Sequence, residues 1–241
     1  MSGSSGRVVA RPIHLKAPDL VHHTVGVIEE QLLEMVEREF ARLSRGLGGW
    51  PDPHPDRRPH DSEYSRVTDA KRYRIVGARA DAWAAAAVGL GLAVTDDRVE
   101  WADAPPTHLG RSYVLAPTAV GALPLVIARH HLGDCDDAGL TLGAGSPATV
   151  IDVVPDCGCD ACDSGSGDLI EVVDRSFAAV VTGRYRRLSK RDQVITLVGD
   201  SRSSSNIDRR RADAVLARPQ GWAELTGTSW LIPTLGAPFE P

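Results

Sequence analysis

The first periodic stretch of the chain is helical. Ile28, Leu32, Met35, Val36, Phe40 and Leu43 recur at spacings of three and four, while Glu29, Glu30, Glu34, Glu37 and Arg38 occupy the other faces. This predicts an amphipathic helix starting near Asp19 or Thr24, either of which can cap it, and stopped by Gly46, Gly48 and Gly49. Pro51, Pro53, Pro55 and Pro59 make the next stretch a stiff, extended connector. A second helix is expected with Thr68 as its cap and Asp69 at its positive end, on the pattern Tyr73, Val76, Ala80, Trp83, Ala87 and Leu90.

Beyond Asp96 the pattern shortens. Strands are expected at residues 99–101, 111–116, 123–129 and 148–154, each bounded by Gly, Pro or Asp clusters. Residues 134–147 look turn-rich. A third helix is expected at 166–181, built on Leu169, Ile170, Val173, Phe177, Val180 and Val181 and ended by Gly183. A hairpin follows at 184–188 and 193–198, then a polar loop at 200–206, a short basic helix at 208–217 and a Trp-containing tail. Helices and strands are partly segregated rather than alternating. The expected class is therefore α+β, a mainly antiparallel sheet covered on one face by about three helices. The expected organisation is a disordered leader at 1–18, a single α+β domain at 19–200, and a polar loop, short helix and tail at 201–241.

The 241 residues are 42% apolar and 24% charged, with a formal net charge of -5. An acidic chain has no general attraction for phosphate backbones, so nucleic acid is not an expected partner; Arg209, Arg210 and Arg211 form only a small basic patch. The longest apolar run, residues 119–128, contains Gly121 and Pro124 and is too short to cross a bilayer, so no membrane association is expected. The N-terminal residues lack the hydrophobic segment of a secretory signal.

Cysteines change the picture most. There are four, and three of them fall within Cys157-Gly158-Cys159-Asp160-Ala161-Cys162. A secreted disulfide scaffold spreads its cysteines to staple distant segments; this clustering points instead to a reducing compartment, the cytoplasm. The segment links a strand to a helix, where free N–H groups and the helix dipole favour thiolate, and Gly158 permits a sharp turn. Asp156, Asp160, Asp163 and Asp168 oppose thiolate formation unless a cation is present.

Three readings stay open. In the first, Cys157, Cys159 and Cys162 bind Zn²⁺, with a fourth ligand drawn from Cys135, His131, His130 or a local aspartate. In the second, Cys159 and Cys162 form a redox C-x-x-C pair. In the third, the cysteines are packed in a tight turn, with Asp163 or Ser164 capping the helix.

The segment Pro155-Asp-Cys-Gly-Cys-Asp-Ala-Cys-Asp-Ser-Gly165, with Glu63-Tyr-Ser-Arg-Val-Thr-Asp69, Arg72-Tyr73-Arg74 and Arg79-Ala-Asp-Ala-Trp83, resembles an uncharacterised family of actinobacterial proteins over residues 62–198. The resemblance implies a bacterial cytosolic protein and no particular activity.

Weaker signals accompany these. Tyr64, Arg66, Asp69, Arg72, Tyr73 and Arg74 crowd the start of the second helix, either as an anion pocket or as surface ion pairs. His130 and His131 follow a buried-looking strand, and His131 and Cys135, four residues apart, could meet on one turn as ligands, or the histidines lie solvated or locally hydrogen-bonded at the strand end. The loop at 200–206 lacks the glycines of a phosphate-binding loop, and neither Gly-x-Ser-x-Gly nor His-Glu-x-x-His occurs. The leading expectation is a non-enzymatic or accessory protein with a structural, zinc-type cysteine site. The rival is a thiol- or metal-dependent enzyme using the same turn.

Overall fold

The computed structural model describes residues 17–105 and 109–232. The expected leader lies outside them, apart from residues 17 and 18, which begin the first helix. That helix, α1 (Ala17–Leu43), turns Leu32 and Val36 fully inward and leaves its glutamates to solvent. No helix among the described residues is long and apolar enough to cross a membrane.

The second helix starts later than Thr68 suggests. A short 3-10 turn, Ala70–Tyr73, precedes α2 (Arg74–Gly89), and the Thr68 side chain caps nothing. It is hydrogen-bonded to Asp160 instead. Helix α2 is buried nearly all round, and its alanines let α1, a third helix and the sheet approach closely. Helix α3 (Ser166–Val181) occupies the expected residues. Trp83 of α2 stacks on Phe177 of α3 at 5.4 Å between ring centroids. Its indole N–H donates to Asp174 at 2.7 Å, while the buried Arg79 reaches both Asp174 and Glu37 at 2.6 Å. One guanidinium thus ties all three helices, and its charge is satisfied where it is desolvated.

The sheet expectation needs enlarging: the described residues form two antiparallel sheets. The first is a meander in the order β1 (Ala93–Asp96), β2 (Leu109–Pro117), β3 (Leu125–Leu132), β4 (Cys135–Gly145) and β5 (Ala148–Val154). The expected strand at 99–101 reduces to a single bridge from Trp101 to Ala148. Strand β4 occupies the stretch that looked turn-rich, and it is almost wholly buried. Its small residues are what hid it. A Cβ at Gly139 would lie 2.0 Å from the His130 ring of β3, and one at Gly143 would lie 2.7 Å from the Trp101 ring, so these two side chains supply the bulk that β4 lacks.

The second sheet runs β8 (Ser201–Ser205), β7 (Gln193–Val198), β6 (Tyr185–Lys190) and β9 (Ala223–Thr226). Strands β6 and β7 are the expected hairpin; β8 replaces the expected loop and pairs all five of its residues with β7. One face packs Leu188 and Ile195 against Ala212 of α4 (Arg209–Ala217), whose start is capped by Asp208. Trp230 and Leu231 return to the main core beside Val181 and Leu123, so the C-terminal segment seals the helical layer.

Candidate metal centre

Strand β5 ends at Val154, and the chain turns through residues 155–165 before α3 begins. Gly158 adopts φ +72°, and a Cβ there would fall 2.5 Å from the Leu132 side chain at the end of β3. Only glycine meets both conditions without strain. A 3-10 turn, Asp160–Cys162, then curls the chain, with the Cys162 N–H donating to the Cys159 carbonyl at 3.0 Å. The sulfurs of Cys157, Cys159 and Cys162 all lie within 4.8 Å of one another. Cys159 is buried; Cys157 and Cys162 are exposed.

The three thiols are not equivalent. Burial pushes the Cys159 thiol up, but the Cys157 and Cys162 thiols and the backbone N–H groups of Ser65 and Cys162 all donate to its sulfur, and the net pKa is lowered. Cys162 is raised, first by its hydrogen bond to Cys159 and then by burial. Cys159 therefore ionises more readily than Cys162.

Two loops far away in sequence hold this turn. The Asp160 carboxylate accepts from Arg66 Nε at 2.7 Å, from the Thr68 N–H at 2.9 Å and from the Thr68 hydroxyl. The Asp160 N–H in return donates to the Arg66 carbonyl at 2.7 Å. Burial alone would raise its pKa; these donors bring it down to about 2. The Asp163 carboxylate accepts from the Trp50 indole, from the Gly165 N–H at 2.9 Å and from Arg72 at 2.5 Å. The Arg72 guanidinium in turn lies over the Trp50 and Tyr73 rings at 5.0 and 5.1 Å. Helix α3 starts at Gly165 without a side-chain cap, contrary to the cap expected from Asp163 or Ser164; the Ser166 N–H donates instead to the Trp50 carbonyl at 3.0 Å. The loop supplying Arg66 and Thr68 is itself pinned by Glu63, which accepts from both Arg57 terminal nitrogens at 2.8 Å.

Two of the acidic neighbours that should oppose thiolate formation are thus spoken for. Asp160 and Asp163 face cationic and N–H donors of this chain, and their charge is balanced before any ligand arrives. Of the crowd at 64–74, Arg66 and Arg72 bind carboxylates, and both carboxylates come from the cysteine turn. Trp50 and the Ser65 N–H carried no signal in the sequence; Arg66, Thr68 and Arg72 did, without naming their partner.

Cys135 is not part of the sulfur group. It is buried with Tyr73, Leu132 and Ala138, and its Sγ is 3.7 Å from the Asp136 carbonyl. His130 is buried with Nδ1 3.1 Å from the Thr141 hydroxyl, and burial lowers its pKa. His131 Nδ1 is 2.7 Å from Asp136. Among the described residues, the ligand-type atoms that come together are the three sulfurs of the turn.

A family of unknown function, DUF6226, covers residues 36–231, which takes in α2, both sheets and the whole cysteine turn. No curated protein and no solved structure matches the chain.

Proposed function

We propose, for a chain that belongs to the family of unknown function DUF6226, that the turn at 157–162 binds one thiophilic divalent cation of the zinc class and serves a structural role in an accessory or binding protein. The observation that carries this reading is the mutual approach of three sulfurs within 4.8 Å. Zinc–sulfur bonds of about 2.3 Å place tetrahedral ligands about 3.8 Å apart, inside the 4.8 Å within which the three sulfurs lie. Soft thiolates select zinc-like ions over magnesium or calcium. Cys157, Cys159 and Cys162 would each give up a proton on binding, and the N–H groups of Ser65 and Cys162 would remain as donors to the Cys159 sulfur. The fourth position would be filled by water or by a donor outside the sulfur group.

A structural role is favoured by what surrounds the turn. It is gripped by residues 50, 66, 68 and 72 and wedged on Leu132, so an ion there would lock the β5–α3 junction to the loop before α2. All four cysteines are free, as suits a reducing compartment. The likeness of the Pro155–Gly165 segment to actinobacterial proteins supports a bacterial origin. The exposure of Cys157 and Cys162 favours a second reading, an enzyme whose ion keeps a position open to substrate.

Metal analysis of the purified chain, followed by reconstitution with Zn²⁺ or Co²⁺, tests the proposal. We expect one ion per chain, thiolate-to-cobalt charge-transfer absorption, and loss of both in Cys159→Ser. Chelation should lower the melting temperature if the ion is structural. A chain that takes up neither ion would end the metal reading, and a chain that binds one without any change in melting temperature would favour the enzyme.

A further inference from the structure

The second sheet has one face covered by α4 and another that looks across a cavity of about 560 Å³ toward β5 and α3. The register of its strands sets what that face presents. Arg187 of β6 pairs with Thr196 of β7, and Thr196 pairs with Ser203 of β8, so a guanidinium and two hydroxyl-bearing residues form one rung across three strands. Val194 and Val198, two positions to either side of Thr196, make the flanking wall apolar. From the opposite side α3 contributes Arg175 and β5 contributes Asp152.

Charge in this cavity is not balanced internally. Arg202, which also lines it, is paired with Asp213. Among the described residues the Arg175 and Arg187 side chains make no hydrogen bond or close ion pair, Arg175 acting on Asp152 only through space, and Arg187 is half-buried. Asp152 is the one carboxylate in the lining, and it receives the Ser176 hydroxyl. Burial raises its pKa, ahead of the opposing effects of Ser176 and Arg175, so it yields its charge more readily than an ordinary aspartate. The polar lining is therefore rich in donors and carries excess positive charge. A partly enclosed guanidinium without an anion is poorly compensated, and a ligand with several acceptor oxygens would compensate it.

We infer that this cavity is a binding site for a small phosphomonoester, whose phosphate is held by Arg187 and Arg175 with the Thr196 and Ser203 hydroxyls and whose apolar body lies against Val194 and Val198. Its size is that of a small-molecule site. Phosphate is favoured over carboxylate because its three terminal oxygens can accept from two guanidinium forks and the hydroxyl rung together, whereas a carboxylate offers two oxygens in one plane. The site is separate from the cysteine turn and does not depend on metal.

Calorimetric titration of the full chain with phenyl phosphate, at fixed ionic strength, tests this. The expected result is one saturable site, with inorganic phosphate competing more weakly and benzoate weaker still. Arg187→Gln is expected to reduce affinity about tenfold or more, in line with loss of a charge-assisted hydrogen bond. Arg175 is exposed on α3, so Arg175→Gln should fold normally and weaken binding severalfold. Absence of saturable binding by phenyl phosphate at millimolar concentration would overturn the inference. So would unchanged affinity in Arg175→Gln and Arg187→Gln variants that melt like the wild type, or benzoate binding as tightly as phenyl phosphate.

Discussion

The indole N–H of Trp50 donates to both carboxylate oxygens of Asp163, at 2.9 and 3.0 Å, across 113 positions of the chain. The contact joins the proline-rich connector to the last residues before α3. Replacing Trp50 by Phe keeps the ring that packs edge-on against Tyr73 but removes the donor. We expect a loss of about 1–3 kcal/mol in denaturant unfolding, since Asp163 is buried and would keep only Arg72 and the Gly165 N–H. Stability equal to wild type would show that this bond contributes nothing net.

Asp160 is the corresponding anchor on the other loop. Asp160→Ala strands the Thr68 N–H and hydroxyl and frees Arg66. The expected cost is about 2–3 kcal/mol, with metal affinity reduced about 10-fold to 100-fold because the Cys159 sulfur loses the loop that donates to it. Paired unfolding and metal-competition titrations measure the two effects, and an unchanged affinity would separate the loop from the metal site.

Cys135 provides the sharpest test of ligand identity. Its sulfur packs in the cluster with Tyr73 and Leu132, outside the sulfur group. Cys135→Ala should retain one bound ion and lose about 1 kcal/mol of stability, the usual cost of a small buried truncation. Loss of the ion would make Cys135 the fourth ligand.

Gly158→Ala combines a left-handed backbone with a collision against Leu132. The backbone contribution alone costs about 1–2 kcal/mol. Because the collision is with a side chain, Leu132→Ala should partly relieve it. A double-mutant cycle should therefore show the pair less destabilised than the sum of the single variants. Strict additivity would refute the contact.

Acid sensitivity should trace in part to Glu63. Its carboxyl is held well below the ordinary carboxylate range, chiefly by Arg57 and then by the His60 N–H. A carboxyl whose folded pKa is depressed stabilises the fold above its unfolded pKa, about 4.3, and that contribution is lost as pH falls below it. Melting temperatures from about pH 7 to about pH 3 should fall more steeply for the wild type than for Glu63→Gln, the gap between the curves narrowing below about pH 4.3 without closing at pH 3. Parallel curves would rule Glu63 out.

Helices and the hairpin were legible from sequence because their information is local. The three-four spacing of Leu32, Val36 and their neighbours, and that of Val173, Phe177 and Val180, records which face of each helix is buried, and both buried stripes lie where the spacing puts them. Strand β4 was not legible, because Gly139, Gly143 and Ala144 carry no hydrophobic period. Their burial depends on His130 and Trp101, and nothing within β4 itself records those side chains.

The same division runs through the cysteine turn. Spacing alone determined that Cys157, Cys159 and Cys162 would be close, since a glycine and a two-residue gap leave them little room to separate. Only the tertiary structure decided the electrostatics around them. Acidic neighbours that look repulsive along the chain are balanced by Arg66, Thr68, Trp50 and Arg72, brought in from about a hundred positions away. A thiol's protonation depends on the field of all nearby groups in space, and chain order records that field only where neighbours in sequence are also neighbours in the fold.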